Sequence, residues 1–161
     1  MIGPLDEQTW DTFSTNWHTD VHHVFNFARD SLSVPLRPGS VVIAVSSGAA
    51  LRGSPLSGGY SGAKATTRSI SAYAAAELAG RSLGLRYVAI LPTLTPTTDL
   101  GAVGVAAHAG RSGPSIEAFE AQLGAILTPE HVAKTVADIA TDVSYSADAY
   151  ALTATELRPL D

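Results

Sequence analysis

Residues 41–64 read VVIAVSSGAALRGSPLSGGYSGAK. The first five form a short, β-branched, apolar run without alternation, which is typical of a strand covered on both faces. Residues 46–59 are rich in Ser, Gly and Pro and predict a loop. An Ala-rich segment from Tyr60 to about Leu83 then predicts a helix, with Gly84 as its C-terminal stop. This part of the chain is therefore expected to fold as a strand, a loop and a helix in succession.

The segment before this stretch predicts a long amphipathic helix. Over residues 10–32 the apolar side chains recur at spacings of three and four, which places them on one stripe of a helix. A turn at residues 35–40, which contains two prolines and a glycine, ends it. The stripe consists of Trp10, Phe13, Trp17, Val21, Val24, Ala28 and Leu32.

The segments after it continue the alternation of strands and helices. Residues 86–91 predict a second buried strand, and residues 101–127 predict a mobile, weakly helical segment rich in Gly and Ala. Thr128 is the expected N-cap of a further helix to about residue 141, with Pro at its first position. Residues 149–155 predict a last short strand. Buried strands separated by helices indicate an α/β fold with a doubly wound parallel sheet.

The composition limits the class of protein. The chain has 161 residues, 45% hydrophobic and only 16% charged, which predicts one folded domain over residues 1–161. The net charge is −5 and only two residues are lysines, so no nucleic-acid partner is expected. The absence of cysteine excludes disulfides and thiolate metal sites. No apolar run approaches the ~20 residues of a membrane span, and no signal peptide is visible, which predicts a soluble cytoplasmic protein without a membrane partner.

Polar side chains follow the first strand at spacings that indicate catalysis. Ligands of open parallel sheets bind beyond the carboxyl ends of the strands, where Ser46 and Ser47 lie. Tyr60 comes thirteen residues after Ser47 and Lys64 four after Tyr60, so Tyr60 and Lys64 share one helical face. A nearby cation favours the phenolate of a tyrosine, and a serine hydroxyl can hold a substrate oxygen as charge develops on it. These three residues suit carbonyl reduction or alcohol oxidation with a separate hydride carrier.

The sequence resembles the short-chain dehydrogenases/reductases over nearly its whole length. The matching text is VVIAVSS at 41–47, GYSGAKA at 59–65 and VAILP at 88–92, together with the helix of residues 10–32 and the helix start at Thr128. The resemblance implies a Rossmann-like fold and an NAD(P)-dependent oxidoreductase that interconverts a carbonyl and a secondary alcohol.

The resemblance also implies roles for single residues. Tyr60 would be the proton donor and acceptor, Lys64 would bind the nicotinamide ribose and favour the phenolate, and Ser47 would orient the substrate carbonyl. Pro92 and Thr97 would contact the nicotinamide end of NAD or NADP. The partner is then a small carbonyl or alcohol, and no metal is implied.

Two positions depart from the family's pattern. The family's catalytic Asn is expected seven residues after a Trp-like start, which from Trp10 falls on Trp17, whereas Asn16 lies one residue earlier. A slip of one residue turns a helical side chain by ~100°, so Asn16 takes that role only if the helix is shifted or distorted, and is otherwise a polar surface residue. The family's Gly after Pro92 is Thr93 here, which crowds a close backbone approach to the cofactor.

The largest departure concerns the glycine-rich turn that cradles the cofactor pyrophosphate in the family. No Gly-x-x-x-Gly-x-Gly or Gly-x-Gly-x-x-Gly lies between a predicted strand and helix here. The resemblance thus implies a partial, apparently incomplete NAD(P)-binding domain that begins just after the family's fourth strand. An alternative stays open: a non-catalytic half-domain or pseudoenzyme that associates with another chain, which would cover the apolar edge of the strand at 41–45.

Other segments carry weaker signals. Residues 94–127 are expected to form a substrate lid. Helices 10–32 and 60–83 are expected to form a homo-oligomer interface, as such long helices commonly do in the resembled family.

Two further motifs match known functional patterns, but for each we favour an interpretation without a catalytic or metal-binding role. Ser61 and Lys64 match the Ser-x-x-Lys of serine acyl enzymes, but the companion motifs of those enzymes are missing. His18 and His22 lie one turn apart without a third ligand nearby in sequence, which indicates a solvated helix face rather than a metal site.

Overall fold

The computed structural model describes residues 2–53, 55–113 and 115–160, where helices alternate with strands. No helix in these ranges is long and apolar enough to cross a membrane. In chain order the elements are a 3₁₀ turn at Leu5–Glu7, α1 at Trp10–Asn16, a π-helical turn at Trp17–Val21, α2 at His22–Ser31, β1 at Val41–Val45, α3 at Ala49–Arg52, α4 at Gly59–Ala79, β2 at Arg86–Pro92, α5 at Asp99–Ser112, α6 at Ile116–Leu123, α7 at Pro129–Thr141, β3 at Ala149–Leu152 and β4 at Leu157–Pro159.

The four strands form one sheet in the order β1-β2-β3-β4. β2 pairs in parallel with both β1 and β3, while β4 runs antiparallel to β3. Helices cover both faces of the sheet, and the predicted Rossmann-like α/β class is confirmed. The sequence did not predict β4, because its three residues are too few to show a strand pattern.

β2 is the buried centre of the sheet, as predicted. Alternate side chains of a strand point to opposite faces. Val88 and Ile90 pack with Ile139 of α7 on one face, whereas Tyr87 packs with Leu78 of α4 on the other. The apolar run at residues 88–91 therefore follows from the burial of this part of β2 on both faces of the sheet.

Side chains of Val41–Val45 pack on both faces of the sheet, as predicted, although the coverage is partial: Val41 and Ile43 pack against one core cluster and Val42 against the other. β1 pairs only with β2 among the described strands, and its residues are mostly half-buried. Val45, at its carboxyl end, is 50% exposed. The strand lies at an edge of the described sheet, which agrees with the apolar edge that the sequence predicted for it.

The first long helix is interrupted, and its predicted apolar stripe is only partly buried. A π-helical turn separates α1 from α2, which an apolar pattern does not reveal. Ala28 is buried against Tyr87 and Leu78, but Trp10 is 72% exposed, which contradicts its place in a buried stripe. The extra residue in a π turn shifts the helical phase between the two halves.

Several boundaries also differ from the predictions. The loop at 46–59 contains the short helix α3, and α4 ends at Ala79 rather than at Leu83. The segment 101–127, predicted to be weakly helical, folds mainly into α5 and α6. The helix after Thr128 is confirmed, with the threonine Oγ1 accepting the N–H of His131 at 3.3 Å. Whether 94–127 acts as a lid stays a prediction.

Candidate active site

The carboxyl ends of the three parallel strands are tied together by backbone hydrogen bonds. The N–H of Gly48, just after β1, donates to the carbonyl of Pro92 at 2.8 Å. The N–H of Thr93, just after β2, donates to the carbonyl of Leu152 at 2.9 Å. This edge is where ligands bind in open parallel sheets, so the loops that carry Ser47 and Thr97 leave the sheet at the expected place.

Ser46 anchors α4 to the end of β1. Its buried hydroxyl donates to the carbonyl oxygen of Lys64 at 2.7 Å. Such a bond fixes the height of α4 along the strand, because a buried hydroxyl without a partner is costly. The sequence indicated only that Ser46 follows the strand; its anchoring role required the packed structure.

Tyr60 and Lys64 lie one turn apart near the start of α4, on the same face of the helix. The Nζ atom of Lys64 lies 5.6 Å from the centroid of the Tyr60 ring. The Tyr60 side chain is half-buried, and its hydroxyl has no hydrogen-bond partner among the described residues. A phenol with a cation beside it and an unused hydroxyl is suited to exchanging a proton with a ligand.

The ammonium of Lys64 is held by two acceptors from different elements. Oδ2 of Asp20, in the π turn, lies 3.2 Å from Nζ, and the carbonyl oxygen of Val45 lies 3.4 Å from it. An ammonium carries three donors. Within the described part of the chain, the third donor has no acceptor, so one N–H is available to a hydroxyl of a bound ligand.

Ser47 lies in the loop after β1, and its hydroxyl accepts the N–H of Ala49 at 3.2 Å. No hydrogen bond joins Ser47 to Tyr60 in the residues that the structure describes. A hydroxyl that accepts from a backbone N–H keeps its own proton for donation. Its placement beside β1 is as expected, and its role toward a substrate stays a prediction.

The helix before β1 is distorted, but the residue that reaches Lys64 is Asp20. Asn16 is the last residue of α1, is half-buried, and makes no side-chain hydrogen bond within the described residues. Sequence reasoning missed Asp20. Asp20 is the only acidic residue between Asp11 and Asp30, which is the one signal that the sequence offers. No spacing rule connects it to Lys64, because the two residues are too far apart in the chain.

The two residues expected at the nicotinamide end differ in setting. Pro92 ends β2 and is half-buried, with its carbonyl bound to Gly48. Thr97 is exposed in the loop before α5, where its neighbour Thr98 caps the helix by accepting the N–H of Gly101 at 3.0 Å. Thr93 is also exposed. The contacts of Pro92 and Thr97 with a cofactor stay predictions.

A groove of about 450 Å³ runs along the free side of β1, between α2 and α4. Asp20 and Lys64 face it, so its charged end adjoins the candidate site. Burial raises the pKa of Tyr87, which lies on the groove wall. The groove is lined by Asp20, His23, Val24, Phe27, Ala28, Val42, Ile43, Ala44, Val45, Lys64, Ser71 and Tyr87.

The other two motifs do not assemble into sites. The hydroxyls of Ser57 and Ser61 form a hydrogen bond of 3.0 Å, whereas the ammonium of Lys64 turns to Asp20, so Ser61 and Lys64 do not form a nucleophile–base pair. His18 and His22 are exposed, and no cluster of three or more metal-ligating side chains occurs within residues 2–53, 55–113 and 115–160.

Comparison with known families identifies the family of the chain and supports its fold. The fold is a Rossmann-like α/β sheet, and Tyr60 and Lys64 lie near the carboxyl end of its strand β1. The family model described as enoyl-(acyl carrier protein) reductase matches residues 1–149. The chain belongs to the short-chain dehydrogenase/reductase family. No curated protein matches the sequence.

Solved structures share the fold at low identity. Sorbitol-6-phosphate 2-dehydrogenase SrlD from Erwinia amylovora is similar with a TM-score of 0.83 and 17% identity over 96% of this chain and 63% of that one. A short chain dehydrogenase from Burkholderia cenocepacia J2315 in complex with NADP has a TM-score of 0.73 and 24% identity, covering 95% and 59%. The angucycline C-6 ketoreductase LanV with bound NADP has a TM-score of 0.74 and 22% identity, covering 95% and 56%. The chain thus spans less than two thirds of the length of these structures.

Proposed function

We propose that this chain supplies the catalytic part of an NAD(P)-dependent oxidoreductase that interconverts a carbonyl and a secondary alcohol. The observation that carries the proposal is the ammonium of Lys64, held 5.6 Å from the ring of Tyr60 beyond the carboxyl end of β1. Membership of a family of dehydrogenases and reductases supports it, as do two structures of similar fold that contain NADP.

The residues present fit the nicotinamide–ribose end of such a cofactor. The unused N–H of Lys64 would bind a ribose hydroxyl, and Pro92 and Thr97, which leave the same edge of the sheet, would contact the nicotinamide end. When bound, NAD(P) supplies or accepts the hydride. The sequence has no glycine-rich strand–turn–helix for the pyrophosphate, so the proposal assigns only the nicotinamide end to this chain.

The proton is the part of the reaction that this chain's side chains transfer. In the reducing direction, the hydroxyl of Tyr60 gives its proton to the carbonyl oxygen while hydride reaches the carbonyl carbon, and the tyrosine is left as phenolate. In the oxidising direction, the phenolate takes the proton of the alcohol. Lys64 stabilises the phenolate by its positive charge, and the hydroxyl of Ser47, which accepts from Ala49, donates to the substrate oxygen.

Replacing Tyr60 with phenylalanine tests the proposal. Turnover of a panel of aliphatic, cyclic and aromatic ketones with NADH and NADPH is followed by the loss of reduced nicotinamide absorbance. We expect Tyr60→Phe to lower kcat by about 10²–10⁴-fold, because the proton donor is gone while the ring stays. Tyr73→Phe, on an exposed position of the same helix, is the matched control and should leave kcat unchanged. Undiminished turnover in Tyr60→Phe would overturn the proposal.

A second candidate function is association without catalysis, favoured by the uncovered edge of β1. Val45 is 50% exposed there, and the adjoining groove is lined largely by apolar side chains. Unpaired strand edges are normally covered. Titration of the chain with NAD and NADP separates the two candidates. Micromolar binding of either dinucleotide would contradict an association module.

A further inference from the structure

The ion pair between Asp20 and Lys64 joins two elements that are far apart in the chain. The carboxylate belongs to the π-helical turn and the ammonium to α4, and the two side chains are only 31% and 16% exposed. The pair Lys134–Asp138, by contrast, lies within one exposed helix. Partial burial leaves the Asp20–Lys64 pair less exposed to solvent and salt than a pair on an open helix surface.

The close fit of the π turn on α4 explains how the carboxylate reaches the ammonium. A Cβ atom at Gly62 would lie 3.4 Å from the Trp17 ring, so the glycine brings the turn within van der Waals distance of the helix. Asp20 and Lys64 both face the groove along β1. His23 and Tyr87 are the other titratable groups on its walls.

We propose that Asp20 is a positioning residue that fixes the ammonium of Lys64 beside Tyr60. Its carboxylate and the Val45 carbonyl take two of the three ammonium protons from different directions. The third proton and the charge are thereby held in one place relative to the Tyr60 ring. A flexible four-carbon side chain would otherwise sample many positions. For catalysis, this inference rests on the proposed function; the ion pair itself does not.

The chain offers a direct test, because it contains only two lysines, Lys64 and Lys134. Acylation with acetic anhydride at fixed pH, followed by peptide mass spectrometry, gives the rate at each lysine. The reagent reaches the amine only when the amine leaves the acceptors that hold it. We expect Asp20→Asn to raise the Lys64 rate, because the amine then loses one of the two acceptors that hold it, and Asp20→Ala to raise it further.

The matched control is Asp138→Asn, which removes the carboxylate from the exposed pair with Lys134. That change should alter the Lys134 rate less than Asp20→Asn alters the Lys64 rate, because the Lys134 side chain is 73% exposed and the reagent reaches it in either case. Asp20→Glu, which keeps the charge, should leave Lys64 slower than Asp20→Asn does. Equal Lys64 rates in the unaltered chain, Asp20→Asn and Asp20→Ala would overturn the inference.

A second measurement needs no change at Asp20. In a Lys134→Arg chain the only lysine ammonium is that of Lys64, and its ¹H–¹⁵N resonance should be visible near neutral pH because the ion pair slows proton exchange. Its absence would overturn the pair even if the Asp20 variants fail to fold. With the pair established, Asp20→Ala should lower kcat/KM by on the order of 10²-fold, as a displaced catalytic group does. If Tyr60→Phe abolished turnover and Asp20→Ala had no effect, the positioning role of Asp20 would be refuted while the proposed function stood. The acylation rates test the ion pair itself and do not depend on turnover.

Discussion

Replacing Gly59 with alanine should destabilise the fold strongly, because α1 crosses the start of α4 at this residue. A Cβ atom there would lie 1.7 Å from the carbonyl oxygen of Phe13 and 2.8 Å from its carbonyl carbon. Even close C–H···O contacts in proteins have C···O distances of about 3.3 Å, so α1 must move by roughly 1.5 Å. The clash is with backbone, which no side-chain rotation relieves.

The expected cost is about 3 kcal/mol, the upper part of the usual range for overpacking. For a chain of this size that lowers Tm by about 6–12 °C. Urea unfolding followed by far-UV circular dichroism measures the change. Because α1 leads directly into the π turn, the same variant should also loosen Asp20 from Lys64 and raise the acylation rate of Lys64.

Gly62→Ala is the control, one turn further along α4. Its Cβ atom would meet the Trp17 ring at 3.4 Å, an ordinary van der Waals distance. Alanine in a helix interior is favoured over glycine by about 1 kcal/mol, so this variant should be neutral or slightly more stable. If Gly59→Ala were as stable as the unaltered chain, or if the two variants lost equal stability, the close helix crossing would be refuted.

Two further predictions concern buried and capping hydroxyls. The Tyr87 hydroxyl donates to the carbonyl of Ala28 at 3.0 Å, so Tyr87→Phe should cost about 1 kcal/mol. Burial raises the pKa of Tyr87, so the folded state keeps the proton that the unfolded chain loses above about pH 10. The free energy of unfolding should therefore fall more steeply above that pH in the unaltered chain than in Tyr87→Phe. Equal slopes of this free energy against pH in the two chains would contradict the reasoning. Thr128→Ala removes the N-cap of α7 and should cost about 1 kcal/mol in urea unfolding, with Thr128→Ser as the restoring control and equal midpoints as the contrary result. Hydrogen bonds from the helix start lower the pKa of Glu130, so its contribution to α7 is present above the ordinary carboxyl pKa and is lost as pH falls through the lowered value.

The sequence predicted the elements whose signals are local. β2 is an apolar run that is buried on both faces, and α7 begins with a capping threonine followed by proline. Tyr60 and Lys64 lie one helical turn apart because their spacing of four residues is close to the 3.6 residues per turn of an α-helix. In each case, neighbouring residues alone set the outcome.

The misplaced elements are those that depend on distant partners. The apolar run at Val41–Val45 indicated two covered faces, but how fully each face is covered depends on the helices that pack there, and these leave Val45 50% exposed. Trp10 continued an apolar stripe, but the π turn after α1 changed the phase of the helix and left the indole exposed.

The candidate site divides in the same way. The sequence by itself determined that a tyrosine and a lysine share one face of a helix after a strand, because a fixed helical pitch converts spacing into direction. Only the tertiary structure decided that Asp20 and the Val45 carbonyl hold that lysine, because contacts between the π turn, β1 and α4 depend on how the elements pack. Packing brings together residues far apart in the chain, and no periodicity records which of them will meet.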